Sequence, residues 1–84
     1  MMNIVFPEFY DELLEMECKS KGCALNFNIN LNGVKMKFNF YDIVRFTQDA
    51  KSDLEEYGFF RDEDAVILPE VTREQIYKYL STLS

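Results

Sequence analysis

Ala24-Leu25-Asn26-Phe27-Asn28-Ile29-Asn30-Leu31-Asn32-Gly33-Val34-Lys35-Met36-Lys37-Phe38-Asn39-Phe40-Tyr41 is the stretch that decides the fold. Leu25, Phe27, Ile29 and Leu31 alternate with Asn26, Asn28, Asn30 and Asn32. After Gly33, Val34, Met36, Phe38 and Phe40 alternate with Lys35, Lys37 and Asn39. A period of two gives a strand one apolar and one wet face. Asn32-Gly33 suits a type I′ turn, which needs positive φ at both central residues. That turn predicts the register: Leu31 opposite Val34, Ile29 opposite Met36, Phe27 opposite Phe38 and Leu25 opposite Phe40, apolar against apolar throughout.

Toward the N-terminus, Pro7 suits the first turn of a helix, where its missing N–H has no intrahelical partner to lose. On a helical wheel of residues 8–18, Phe9, Tyr10, Leu13, Leu14 and Met16 share one side. Glu8, Asp11, Glu12 and Glu15 share the other, so an amphipathic helix with an acidic outer stripe is predicted. Glu17 falls on the apolar side, which predicts a frayed or bent last turn. Lys19 and Lys21 complement the C-terminal dipole, and Gly22 is the terminator.

Toward the C-terminus the period changes from 2 to 3.6 near Asp42, a capping residue. Ile43, Phe46, Thr47, Ala50, Leu54 and Tyr57 then line one helical face until Gly58 ends the run. Phe59 and Phe60 are predicted to tuck under the sheet edge, followed by the acidic loop Asp62-Glu63-Asp64. Ala65 to Leu68 is a short continuous apolar run of the kind a buried strand shows. Thr72 with Gln75 reads as a capping box and Val71 with Ile76 as a hydrophobic staple; Ile76, Tyr79, Leu80 and Leu83 then face inward in a third helix reaching the C-terminus.

The predicted order is α-β-β-α-β-α in a single domain, residues 1–84. This is an α+β, two-layer fold: a three-stranded sheet, the β-hairpin plus one crossover strand, covered by helices on one face with the Asn/Lys face open to solvent. The crossover should be right-handed, and its strand fits beside residues 34–40 or beside residues 25–31. A core of 84 residues is marginal unless helices cover the apolar sheet face, and 48% hydrophobic residues supply that cover without disulfide staples.

No apolar run approaches the ~20 residues that span a bilayer, and Met1 to Phe6 lacks the basic start of a signal peptide. A cytoplasmic chain without a membrane partner is expected. Cys18 and Cys23 are the two cysteines, and histidine is absent. Two thiolates do not complete a tetrahedral zinc site, so no metal and no cofactor are expected, and the pair reads as reduced thiols near a helix end. Lack of histidine removes the commonest general base and the Ser/His and Cys/His pairs. Carboxylate pairs such as Asp62 and Asp64 have no cleft, nucleophile or metal partner in the sequence, so no enzyme is expected. Fifteen acidic residues against nine basic give a net charge of −6, a sign that opposes direct contact with nucleic acid and favours a basic partner.

Candidate partner-binding residues follow from that charge. Glu8, Asp11, Glu12 and Glu15 crowd one helix flank and are expected to point away from the core, either as a solvated face or as a docking surface for a basic protein. Asp53, Glu55, Glu56, Asp62, Glu63 and Asp64 form a second acidic region, from which the loop Asp62, Glu63 and Asp64 joins the candidate set. Asn26, Asn28, Asn30, Lys35, Lys37 and Asn39 decorate the open sheet face, as a soluble outer surface or as a hydrogen-bonding contact surface. Asp42, Arg45 and Asp49 have the spacing of surface ion pairs. From a different class, an assembly subunit would use the hairpin edge to extend its sheet in a homodimer.

The segment Phe40-Tyr41-Asp42-Ile43-Val44-Arg45-Phe46-Thr47-Gln48-Asp49, with Ala65 to Leu68 and then Pro69-Glu70-Val71-Thr72, resembles the small immunity proteins of bacterial polymorphic and contact-dependent toxin systems. The resemblance covers roughly the C-terminal half and carries over no functional residue by motif. It implies a cytosolic protein that binds and neutralises one cognate toxin, frequently a nuclease with a basic substrate groove.

Overall fold

The computed structural model describes residues 3–83. The chain runs β1 (Ile4–Val5), α1 (Glu12–Lys21), β2 (Cys23–Leu31), β3 (Val34–Tyr41), α2 (Ile43–Tyr57), β4 (Ala65–Ile67) and α3 (Arg73–Ser81). The fold is α+β. The hairpin forms around the predicted turn, with φ of 52° at Asn32 and 86° at Gly33. Leu31 opposes Val34, Ile29 opposes Met36 and Phe27 opposes Phe38 as the turn requires.

The fourth predicted pair does not form. Ala24, not Leu25, opposes Phe40, because Leu25 and Asn26 together face Asn39 in a β-bulge. Asn26 takes φ 52° there, a left-handed conformation that Asn tolerates better than other side chains with a Cβ. The bulge frees the Asn26 N–H, which donates to Asn39 Oδ1 at 2.7 Å. One extra residue inverts the alternation, so Ala24 is buried and Leu25 is 47% exposed.

The sheet has four strands, not three, in the order β1-β2-β3-β4. β1 pairs antiparallel with the end of β2, Ile4 opposite Leu31, and Asn32 holds it in place. The Asn3 N–H donates to Asn32 Oδ1, and the Asn32 N–H donates to the Asn3 carbonyl, both at 2.8 Å. β4 runs parallel to β3, Phe40 opposite Val66, which places the crossover strand beside residues 34–41. The hairpin strands are therefore central, and the edges are two and three residues long, too short to template another sheet well.

Helices lie on both faces, not one. Tyr10, in the turn ahead of α1, meets Phe27 edge-on at 4.8 Å and Tyr79 of α3 meets Phe38 at 5.8 Å; with Leu14 and Cys18 of α1 in the same core, α1 and α3 cover the phenylalanine face. Tyr41 points opposite to Phe40 by strand alternation, and it is Tyr41 that Phe46 of α2 packs against, at 5.5 Å. Phe40, Ile29, Ile76, Leu80 and Val71 are fully buried, and Tyr10, Phe27 and Phe38 close the same core.

The helix caps are local and mostly as predicted. Asp42 Oδ1 accepts from the Arg45 N–H at 2.8 Å and Gly58 ends α2 with φ 85°. Thr72 Oγ1 accepts from the Gln75 N–H at 3.3 Å. α3 stops at Ser81, with Leu83 exposed, so it ends short of the C-terminus. α1 departs from its predicted start. Pro7 to Tyr10 form a turn closed by the Tyr10 N–H on the Pro7 carbonyl at 3.0 Å, and Asp11 caps a helix that begins at Glu12. That cap sets the helical phase so that Leu14 and Cys18 turn inward behind Tyr10, leaving Phe9, Leu13 and Met16 in solvent.

Candidate functional site

The predicted acidic stripe separates into two kinds of carboxylate. Asp11 Oδ1 accepts from the Leu14 N–H at 2.9 Å, and Glu15 reaches across to accept from the Arg73 N–H at 2.6 Å, capping the first residue of α3. These two hold the fold, against the expectation that all four point away from it. Glu8 lies in the turn ahead of α1 and is exposed; Glu12 is exposed in the first helical turn, where the dipole favours it.

The loop carboxylates are also engaged. Asp62 accepts from Asn39 Nδ2 through both oxygens (3.2 and 3.1 Å), from the Tyr41 hydroxyl (3.0 Å) and from the Asp64 N–H (3.0 Å). Burial, and then the bond donated to Asp62, push the Tyr41 hydroxyl well above its ordinary range. Asp64 pairs with Lys37 at 3.6 Å and Glu63 pairs with Arg61. Asp62 is thus a structural hub, with Glu63 and Asp64 as solvated neighbours.

Arg45 pairs with Asp49 at 2.9 Å, as the spacing predicts, and its Nη1 donates to the Lys21 carbonyl at 3.4 Å at the end of α1. The Asp49 bond is the main reason its basicity is raised. Asp42 serves as a cap and not as an ion-pair partner. Its own N–H donates to the Gly22 carbonyl at 2.8 Å, so the end of α1 and the start of α2 are locked together.

Two apolar surfaces lie open to solvent, an exposure that the helical wheels did not anticipate. One is a shallow groove of about 360 Å³ between α1 and the bulge, walled by Phe9, Leu25, Cys18, Cys23 and Arg45. Both cysteines there are free thiols. Burial first, and the neighbouring Cys23 second, raise the Cys18 pKa, which keeps that thiol protonated and poorly nucleophilic. Among the described residues no three His, Cys, Asp or Glu side chains are grouped to hold a metal ion. No helix among them is long and apolar enough to cross a membrane.

The second surface is α2, which contributes no fully buried residue. Phe46 and Ala50 are half-buried against the body, while Ile43, Val44, Leu54 and Tyr57 are more than half exposed. The predicted apolar face exists, but it is turned partly away from the sheet. Phe60 packs on Phe46 at 5.1 Å, whereas Phe59 is 64% exposed and does not tuck under the edge. The sequence signal for this surface was an excess: adjacent apolar residues at Ile43-Val44 and again at Phe59-Phe60 exceed what one buried stripe needs. Comparison with known proteins finds no matching family model, no matching curated protein and no matching solved structure.

Proposed function

We propose that this chain is a binding protein that occludes a basic surface on one partner protein, in the manner of an immunity protein neutralising a toxin domain. A nuclease with a cationic substrate groove suits the charge best. The observation that carries the reading is α2: fifteen residues with none buried, yet four large apolar side chains held in solvent. Contiguous apolar surface rimmed by charge marks interaction sites, and a net charge of −6 selects basic partners and speeds their encounter. The reading assigns the chain no chemistry of its own and no cofactor. Addition of a second copy at the hairpin edge is less well supported, since both hairpin strands are interior to the sheet.

The test is co-purification of the chain with the product of the neighbouring reading frame, followed by titration of that protein's activity with the purified chain. A basic protein inhibited at an equimolar ratio, with capture weakened by salt, is the expected result. Turnover by the purified chain itself, abolished by a single carboxylate substitution, would overturn the reading.

A further inference from the structure

Asn32 is the one asparagine of this chain that precedes a glycine; Asn3, Asn26, Asn28, Asn30 and Asn39 precede Ile4, Phe27, Ile29, Leu31 and Phe40. A backbone nitrogen that closes a ring on the preceding side-chain carbonyl is hindered by any side chain of its own residue. Gly33 has none. It is exposed at the turn, a Cβ built on it meets nothing within 4 Å, and its N–H makes no hydrogen bond among the described residues. Asn32 is exposed as well. Its Oδ1 accepts from the Asn3 N–H at 2.8 Å, while its Nδ2 donates to no group among the described residues. The carbonyl that takes on negative charge when attacked is thus already faced by a backbone donor, and the nitrogen that leaves is free. With φ of 52° at Asn32 and 86° at Gly33 the turn is type I′. Bringing the Gly33 nitrogen onto Asn32 Cγ flips the single peptide unit between them, which converts type I′ to type II′ and keeps φ of Asn32 positive. Both turns suit a two-residue hairpin, so the strands stay paired through the flip.

We propose that Asn32 is a self-modification site, deamidating through a succinimide formed with Gly33 in the folded chain, and that the product formed decides whether β1 stays attached. The reaction is independent of any partner. Hydroxide takes the proton of the Gly33 N–H and the nitrogen attacks Asn32 Cγ. The bond from Cγ to Nδ2 breaks, and Nδ2 leaves as ammonia with a proton from water. Water then opens the ring at one of its two carbonyls, with no oxidation or reduction. Breaking the bond from Cγ to the Gly33 nitrogen gives aspartate on an unaltered main chain. Breaking the bond from the main-chain carbonyl carbon to that nitrogen gives isoaspartate, whose chain runs through Cβ and Cγ. Either product adds one negative charge to the net −6. Asn32 clamps β1 through Asn3, accepting from its N–H and donating to its carbonyl, both at 2.8 Å. Aspartate keeps the accepting oxygen in place, and its charge strengthens that bond. Isoaspartate lengthens the turn that sets Leu31 opposite Val34 and moves the carboxylate onto Cα. The hairpin register and both bonds to Asn3 do not survive together, and the two-residue edge strand yields first. Ile4, opposite Leu31 and packed against the core, then leaves the edge of β2 open.

The experiment ages the full chain in mildly alkaline buffer, folded and in urea, and locates the amide-to-acid mass gain by peptide mapping with fragmentation that separates aspartate from isoaspartate. Gain at Asn32 alone is expected in the folded chain, at a rate within about tenfold of the unfolded one. Asn32→Asp should show no gain. Ion exchange then separates the aged products for hydrogen exchange. In the isoaspartate fraction, protection of the residue 32 amide that bonds to Asn3 should fall at least about tenfold, with β1 exchanging alongside it. The aspartate fraction and freshly prepared Asn32→Asp should keep the protection of the unaged chain. Gain at other asparagines of the folded chain, or at Asn32 only in urea, would sink the site. An isoaspartate fraction as protected as the unaged chain would sink the release of β1.

Discussion

Asp62→Ala should be the most damaging substitution in the acidic loop, and its cost follows from four hydrogen bonds. The carboxylate receives both contacts of the Asn39 amide, the Tyr41 hydroxyl and the Asp64 N–H. Asn39 in turn accepts the N–H freed by the bulge at Asn26, so Asp62 fixes the side chain that makes the bulge affordable. Tyr41 is only 5% exposed, and leaving its hydroxyl without an acceptor costs ~1–3 kcal/mol. Loss of the amide and Asp64 contacts adds roughly 1 kcal/mol. A total of about 3 kcal/mol is large against the ~4–13 kcal/mol expected for a chain of this length.

Each kcal/mol moves the thermal midpoint of a small domain by roughly 4–8 °C, so a drop of more than about 10 °C is expected by calorimetry or circular dichroism. Glu63→Ala is the control: its pair with Arg61 is about three-quarters exposed on both sides and is worth ~0–1 kcal/mol. A double-mutant cycle of Asp62→Ala with Tyr41→Phe should show coupling of about 1 kcal/mol or more, since each removes one end of the same bond. If Asp62→Ala unfolds within about 0.5 kcal/mol of Glu63→Ala, or the cycle shows no coupling, the hub assignment is wrong.

Phe27→Ala and Phe38→Ala should each cost ~3–5 kcal/mol in chemical denaturation, because both rings are buried and paired across the hairpin. Gly22→Ala should cost roughly 2–3 kcal/mol, combining left-handed strain at φ 77° with displacement of the Asp42 cap, whose carboxylate lies 2.5 Å from the added Cβ. Gly58→Ala, where a Cβ meets nothing, should cost about 1 kcal/mol on the same melts. Stability should also fall at alkaline pH. Burial, and secondarily Glu15 and Cys18, push Tyr10 up to about 12, and Tyr41 is raised as well. Both groups are protonated in folded and unfolded chains below pH ~10, so their contribution is intact there. As pH rises past that value the unfolded form deprotonates first, and each group removes up to about 1.4 kcal/mol per pH unit. Urea midpoints from pH 8 upward check this, with Tyr41→Phe showing the shallower decline.

Local signals were legible and long-range ones were not. The Asn32-Gly33 turn, the Asp42 and Gly58 caps and the Thr72–Gln75 contact each depend on a few neighbouring residues, and each formed. β1 has two residues, too few for a period, and is defined by Asn32 some 29 positions away. The bulge left no trace because Leu25 continues the alternation; only Asn39 on the opposite strand identifies Asn26 as the slip. In α1 the wheel put Phe9, Tyr10, Leu13, Leu14 and Met16 on one side; packing against the hairpin kept Tyr10 and Leu14, added Cys18, and left Phe9, Leu13 and Met16 in solvent. Of the candidate site residues, sequence marked the charges but not their bonds. Asp11, Glu15 and Asp62 look like any surface carboxylate until the backbone N–H groups and hydroxyl they serve are brought to them.

The asparagine-rich strand narrows the search for a contact surface. Asn is depleted in strands, so a run of it asks for a reason. Asn26 and Asn32 both take positive φ, where asparagine is tolerated. Asn32 also clamps β1, Asn39 joins the bulge to Asp62, and Asn28 Nδ2 donates to the Asn26 carbonyl at 3.4 Å. These bonds account for four of the five asparagines of the hairpin without invoking a partner. α2 has no such account. Replacing its exposed apolar residues with polar ones would cost this fold little, because they bury little against it. Nothing in the fold requires Ile43, Val44, Leu54 and Tyr57 to stand in water, so polar substitutions there should leave the thermal midpoint nearly unchanged while weakening capture of any partner that the proposed function supplies.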